Sequence, residues 1–195
     1  MLTFYLKICY NEYVTGYMDR QFRRCKMSYL KGSHIVYGKA GVCCIDDICS
    51  MRFGTEKEER MYYILRPVGS PASTLYVPVD NEILTARMRE VMTKQQIDSL
   101  LGSVRNRTLM WENDKKKRSE EFKRILRDKN QEEMLLMVGC IYLRKQELAA
   151  GGKKLNFTDE GFLQEAEKYI HEEFAYVLNI PVCEVSTYIQ KKIGS

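Results

Sequence analysis

Hydrophobic positions in the first part of the chain fall in short runs of period two, and after Asn81 they recur at helical spacing. His34 to Tyr37, Val42 to Ile45, Tyr62 to Leu65 and Leu75 to Val79 are rich in β-branched and aromatic side chains, which fit a pleated, half-buried surface. Between the first two runs, Gly38-Lys39-Ala40-Gly41 offers two glycines for the positive φ angles of a tight hairpin. Met51 to Arg60 is a polar connection, and Gly69-Ser70-Pro71-Ala72-Ser73 has the chemistry of a turn. Strands this short, joined this way, predict a small SH3-like or Tudor-like β-barrel.

Beyond Asn81 the pattern predicts helices to the end of the chain. Thr93-Lys94-Gln95-Gln96 has the form of a capping box, opening a helix to about Leu101 that Gly102-Ser103 would break. Ser119 to Leu126 carries Phe122, Ile125 and Leu126 at helical spacing. Asn130 with Glu133 caps a helix whose apolar face includes Leu135, Val138, Ile141 and Tyr142, and Gly151-Gly152 ends it. Thr158-Asp159-Glu160 opens another, with Phe162, Leu163, Ala166, Tyr169, Ile170, Phe174 and Val177 as its stripe. After Pro181 a last helix runs through Val185, Tyr188 and Ile189. No helix here is stable alone, so they must pack as a bundle. The fold class is α+β: a small barrel at about 27–85, then a helical domain at about 90–195.

The 195 residues suffice for one ordinary domain or two small ones, and 45% hydrophobic with 29% charged residues belongs to the globular class. No apolar run approaches the roughly 20 residues of a membrane span. MLTFYLKICYNEY lacks the flanks of a secretory signal, so a cytoplasmic location is expected. Residues 1–26 carry Lys7, Arg20, Arg23, Arg24 and Lys26 against Glu12 and Asp19, and read as a weakly ordered extension or an upstream start in the frame. The alternative is a basic arm for nucleic acid.

Seven cysteines, Cys9, Cys25, Cys43, Cys44, Cys49, Cys140 and Cys183, form no C-x-x-C pair and are joined by two histidines. That is poor zinc arithmetic, and reduced, packing cysteines without a metal are expected. Phosphate-loop, dinucleotide, zincin and nucleophile-elbow motifs do not occur. His34 and His171 read as structural or solvated, and the adjacent carboxylates Asp46-Asp47 and Glu58-Glu59 diverge in direction. A binding protein without cofactor, not an enzyme, is the expectation.

Charge is concentrated in one place. From Met27 to Glu90 eight basic residues balance eight acidic ones, whereas SVRNRTLMWENDKKKR sets six cations, Arg105, Arg107, Lys115, Lys116, Lys117 and Arg118, against Glu112 and Asp114. Cations around the lone Trp111 suit a phosphate backbone with a side chain able to enter a groove. A solvated basic turn with Trp111 plugged into the bundle core suits the same residues equally.

The order KGSHIVYGKAGV, short strand, MYYIL, then LYVPVDN resembles the amino-terminal half of CarD-type bacterial transcription regulators and the RNA-polymerase-interacting module of the transcription-repair coupling factor. Trp111 and the helices after it resemble the second half of CarD proteins, extending the resemblance from about Met27 to the C-terminus. The resemblance implies a barrel that pairs its sheet edge with the polymerase β-subunit. Where relatives carry two arginines on that surface, this chain has Met51, with Arg52 beside it, and Tyr76, followed by Val77 and Pro78. It also implies that Trp111 wedges into the minor groove at the upstream edge of the melting bubble, changing the lifetime of the open promoter complex without reading bases. The alternative is a protein–protein adaptor that uses the same barrel and leaves DNA alone.

Overall fold

A computed structural model describes residues 28–52 and 59–194. The expected extension at 1–26, with Cys9 and Cys25, and the middle of the connection between Met51 and Arg60 lie outside the described residues. The architecture is α+β. Five strands, β1 (His34–Tyr37), β2 (Val42–Met51), β3 (Arg60–Pro67), β4 (Leu75–Pro78) and β5 (Met88–Glu90), form one antiparallel sheet in the order β4-β3-β2-β1-β5. The edge strands β4 and β5 do not pair with each other, so the expected barrel is an open sheet.

The β1–β2 hairpin turns as expected on its two glycines, Gly38 at φ 50° and Gly41 at φ 69°, around one 3-10 turn. β2 is longer than its apolar pattern suggested because a bulge at Asp46 resets the register: Ile45 faces Leu65, and Asp47 faces Ile64. One extra residue exchanges the two faces of a strand. Cys43 and Ile45 are therefore inside before the bulge, while after it Ile48 packs on the same core of Ile35, Tyr63, Leu65, Val77 and Met88. The structure adds β5, which pairs Met88 with Tyr37 and Glu90 with Ile35.

A single turn, α1 (Glu82–Thr85), is capped by Asn81. Five longer helices follow: α2 (Lys94–Val104), α3 (Lys115–Asp128), α4 (Gln131–Ala150), α5 (Phe157–Leu178) and α6 (Val182–Gly194). The Thr93/Gln96 capping box forms in both directions, Gln96 N–H to Thr93 Oγ1 at 3.2 Å and Thr93 N–H to Gln96 Oε1 at 2.7 Å. Gly102 does not break α2, whose buried face, Ile97, Leu101 and Val104, continues past it. Asp114 starts α3 four residues earlier than the apolar pattern, and Asn156 caps α5. The bundle core gathers Leu101, Phe122, Ile125, Met137, Ile141, Leu163, Ile170, Phe174 and Val185 from all five helices.

Sheet and bundle meet through charge. Glu173 on α5 is 1% exposed, and its carboxylate accepts Arg89 Nη1 at 2.6 Å, the same guanidinium's Nη2, the Met92 N–H at 3.0 Å and Gln131 Nε2 at 3.0 Å. A buried carboxylate is tolerated only when its lone pairs are taken this way. Around it, Lys39 reaches Glu165 at 3.1 Å and the His34 ring stacks on Tyr176 with centroids 5.1 Å apart.

Two outcomes test this description. Arg89→Met leaves a buried carboxylate with neutral donors only and is expected to cost about 3–5 kcal/mol of stability. Glu173→Gln leaves a guanidinium that water can reach and should cost less, about 1–2 kcal/mol. Urea midpoints measured at unchanged slope give the order. Separately, burial pushes the Cys43 thiol up to about 11, so at pH 8 only about a thousandth of it is thiolate. Iodoacetamide should alkylate the exposed Cys183 in the native protein and leave Cys43 unmodified until denaturant is added, as peptide mass spectrometry would show.

Candidate nucleic-acid interface and sheet edge

Trp111 lies in the connection between α2 and α3, half-buried against the bundle core. Its ring meets Phe122 edge to face with centroids 6.4 Å apart, and Phe122 meets Phe162 in the same manner at 5.7 Å. Two guanidinium groups lie over the indole, Arg118 at 4.3 Å and Arg144 at 5.5 Å from the centroid. The second, contributed by α4, is a site residue that the sequence reading missed; only tertiary packing brings it to Trp111.

Arg118 belongs beneath the surface. It is 5% exposed, donates Nε at 3.3 Å and Nη2 at 2.9 Å to the Asp159 carboxylate, and donates Nη1 to the Glu112 carbonyl at 2.6 Å. Asp159, 2% exposed, also takes its own N–H toward Asn156 Oδ1 at 3.0 Å and the Asn156 amide onto its carboxylate. The pair therefore pins the start of α5, the Glu112 loop and one face of Trp111 together. A phosphate cannot reach it, which corrects the grouping of Arg118 with the surface cations.

Those cations divide further. Arg107 is ion-paired with Glu132 at the start of α4, while Arg105 is exposed at the end of α2. Lys115, Lys116 and Lys117 are exposed and form no ion pair among the described residues. They occupy the first turn of α3, the positive end of the helix dipole, where cations are unfavourable. Asp114 offsets part of that cost by accepting the Lys116 N–H at 2.8 Å and the Lys117 N–H at 3.1 Å, so the charge remaining for a partner sits on the ammonium groups. Met110, 85% exposed beside Trp111, was also missed. Its signal was available in the apolar run Leu109-Met110-Trp111 inside a basic segment.

The second set of residues lies at one end of the sheet. Met51 closes β2 opposite Arg60, and Pro78 closes β4 opposite Tyr62, so the register brings both to the same end. Arg52 follows Met51 and reaches Glu59 at 3.7 Å. Along β4 the side chains alternate: Tyr76 is 43% exposed, whereas Val77 is 1% exposed and packs in the sheet core. Val77 can therefore offer only backbone groups to a partner. Among the described residues β4 is an edge strand with β3 as its sole neighbour in the sheet.

With this geometry in place, the comparison with known families is specific. Residues 29–92 match the family model of the CarD-like/TRCF RID domain. This segment is a CarD-like domain. It contains all five strands and both Arg89 and Met92, two of the partners of Glu173. The matched family is one of RNA-polymerase-interacting domains, which supports a transcription-related role for this segment. The match ends at Met92, before the helices that carry Trp111 and the lysines. No curated protein matches the chain. Among the described residues no helix is long and apolar enough to cross a membrane, and no cluster of His, Cys, Asp or Glu could hold a metal ion.

Because Trp111 is the single tryptophan of the chain, its emission reports on this site alone. Arg118→Met strands Asp159 and is expected to cost about 3–5 kcal/mol and to shift the emission to longer wavelength. Arg144→Gln removes only the outer guanidinium, so about 0.5–1 kcal/mol should be lost while acrylamide quenching rises. Fluorescence and urea denaturation of both variants would check the contrast.

Proposed function

We propose that the CarD-like domain tethers the protein to the β-subunit of RNA polymerase and that the helical part lies on promoter DNA at the upstream edge of the melting bubble. The protein acts by binding and carries no catalytic site. The edge strand β4 and the sheet end bearing Met51, Arg52, Tyr76 and Pro78 suit strand addition, in which backbone groups give affinity and a few side chains give specificity. On the DNA side, Lys115, Lys116, Lys117 and Arg105 supply phosphate contacts, which position without reading sequence.

One observation carries the reading: Trp111, backed by two guanidiniums and by Phe122, stands with the exposed Met110 next to a first helical turn of three exposed lysines. An apolar side chain held rigidly beside cations can enter a base step that is already distorted, where unstacking costs least. Binding opened or bent DNA better than closed DNA shifts the equilibrium toward the open complex, since a ligand moves an equilibrium by its differential affinity. Its place of work is then the cytoplasm, with the polymerase.

The test is the lifetime of the open complex on a ribosomal-type promoter with the cognate polymerase. Wild type is expected to change the lifetime, and Trp111→Ala, at matched folded content, to abolish most of that change. Replacing Lys115, Lys116 and Lys117 by Gln should reduce the slope of log affinity against log salt by up to about three phosphate equivalents, each worth about 0.9. A protein that binds polymerase but leaves lifetime and salt slope unaltered in every variant would instead be an adaptor.

A further inference from the structure

A cleft of about 890 Å³ separates the sheet from α3 and α5. Six cations line it, Lys39, Arg87, Arg89, Lys123, Arg127 and Lys129, against three carboxylates, Asp128, Glu165 and Glu173. Each carboxylate is matched: Lys39 to Glu165 at 3.1 Å, Arg127 to Asp128 at 3.2 Å, and Arg89 to Glu173. Arg87, Lys123 and Lys129 remain without an ion pair among the described residues.

Lys129 is the most constrained of the three. It occupies the left-handed cap of α3 at φ 54°, and its N–H closes the helix on the Ile125 carbonyl at 3.0 Å. Its ammonium group lies 5.1 Å from the Tyr169 ring centroid and 3.7 Å from where a Cβ on Gly38 would stand, which places it between α5 and the β1–β2 hairpin. Burial first, and then the charges of Arg87, Lys39 and Arg89, hold its pKa below the ordinary lysine range. Folding thus gathers an excess of positive charge in a partly dry cleft, where Glu165 offsets only part of the charge acting on Lys129, an arrangement that an anion stabilises.

We propose that this cleft binds a phosphate group, held by Arg87 from the sheet side and Lys129 from the helical side. Two cations on opposite walls call for a dianion with several acceptor oxygens, and the forked guanidinium of Arg87 can grip two of them at once. The volume accommodates a small polyphosphate. The phosphate comes either from a soluble phosphorylated compound or from a nucleic-acid backbone. The inference is independent of the roles assigned above to Trp111 and Lys115 to Lys117.

Inorganic pyrophosphate in magnesium-free buffer, titrated calorimetrically into the full-length protein, is the first probe. One saturable equivalent is expected, weakened tenfold or more in an Arg87→Gln, Lys129→Asn double variant and unaltered in the Lys115, Lys116, Lys117→Gln protein. Asparagine tolerates the left-handed conformation, so the variant keeps its helix cap. If pyrophosphate does not bind but the double variant lowers the salt slope for duplex DNA by about two phosphate equivalents, the site stands and its phosphate belongs to the backbone. Pyrophosphate binding that survives the double variant, or absence of both effects, overturns the proposal.

Discussion

The carboxylate of Glu173 joins its own helix to two stretches of chain far from it in sequence: the one from Arg89 on the last strand to the Met92 N–H entering α2, and the one at Gln131 opening α4. A charge that is 1% exposed tolerates no partial solution, because any donor withdrawn leaves a lone pair in a medium that cannot solvate it. The strands alone could pack in several ways against a helical bundle, since apolar contact is not directional. The fork of Arg89 on Glu173 is directional, and it selects one of them. Lys39 on Glu165 and His34 on Tyr176 then fall at the margins of a joint whose centre is already fixed.

The same device recurs inside the bundle. Arg118 and Asp159 place a hidden pair under Trp111, and there too a guanidinium takes a backbone carbonyl as well as a carboxylate, so a loop is immobilised together with two helices. Both pairs are poor devices for stability, since well-packed apolar groups of the same volume would do as well or better. Their contribution is geometry. In the second case the fixed object is an aromatic ring at the surface beside an exposed methionine, and fixing it before any partner arrives removes the ordering cost that a mobile side chain would incur on binding.

What could be read from the sequence was local. The hairpin at Gly38 and Gly41, the Thr93/Gln96 box and the Asn130 cap are decided by residues within four positions of one another, and each forms as read. Features set at long range were not legible. β5 is three residues with one apolar side chain, too short to show a period, and exists because β1 offers it an edge. Closure of a barrel depends on whether β4 and β5 meet, which no strand announces. The start of α3 was hidden because three lysines oppose the helix dipole that they sit on, and only Asp114 redeems the position. Arg118 read as one cation among six, since its partner lies 41 positions away. Val77 was placed at the polymerase contact by resemblance alone, which does not tell which side chains of an edge strand face inward.

On the reading proposed here, the division of labour follows from the charge distribution. The segment from Met27 to Glu90 is neutral, so polymerase must be recognised by backbone pairing and shape, which salt hardly screens. The cations that suit DNA are few and exposed, and alone would give only the weak, salt-sensitive affinity of non-specific binding, roughly 10⁻⁴ to 10⁻⁶ M. Tethering changes that balance, because a second contact made from an already bound domain meets its target at an effective concentration of about millimolar. Such a gain requires that the two contacts be reachable together without straining the protein. The orientation of helices relative to sheet is therefore a functional quantity, and it is held by Arg89 and Glu173, neither of which is among the residues assigned to polymerase or DNA.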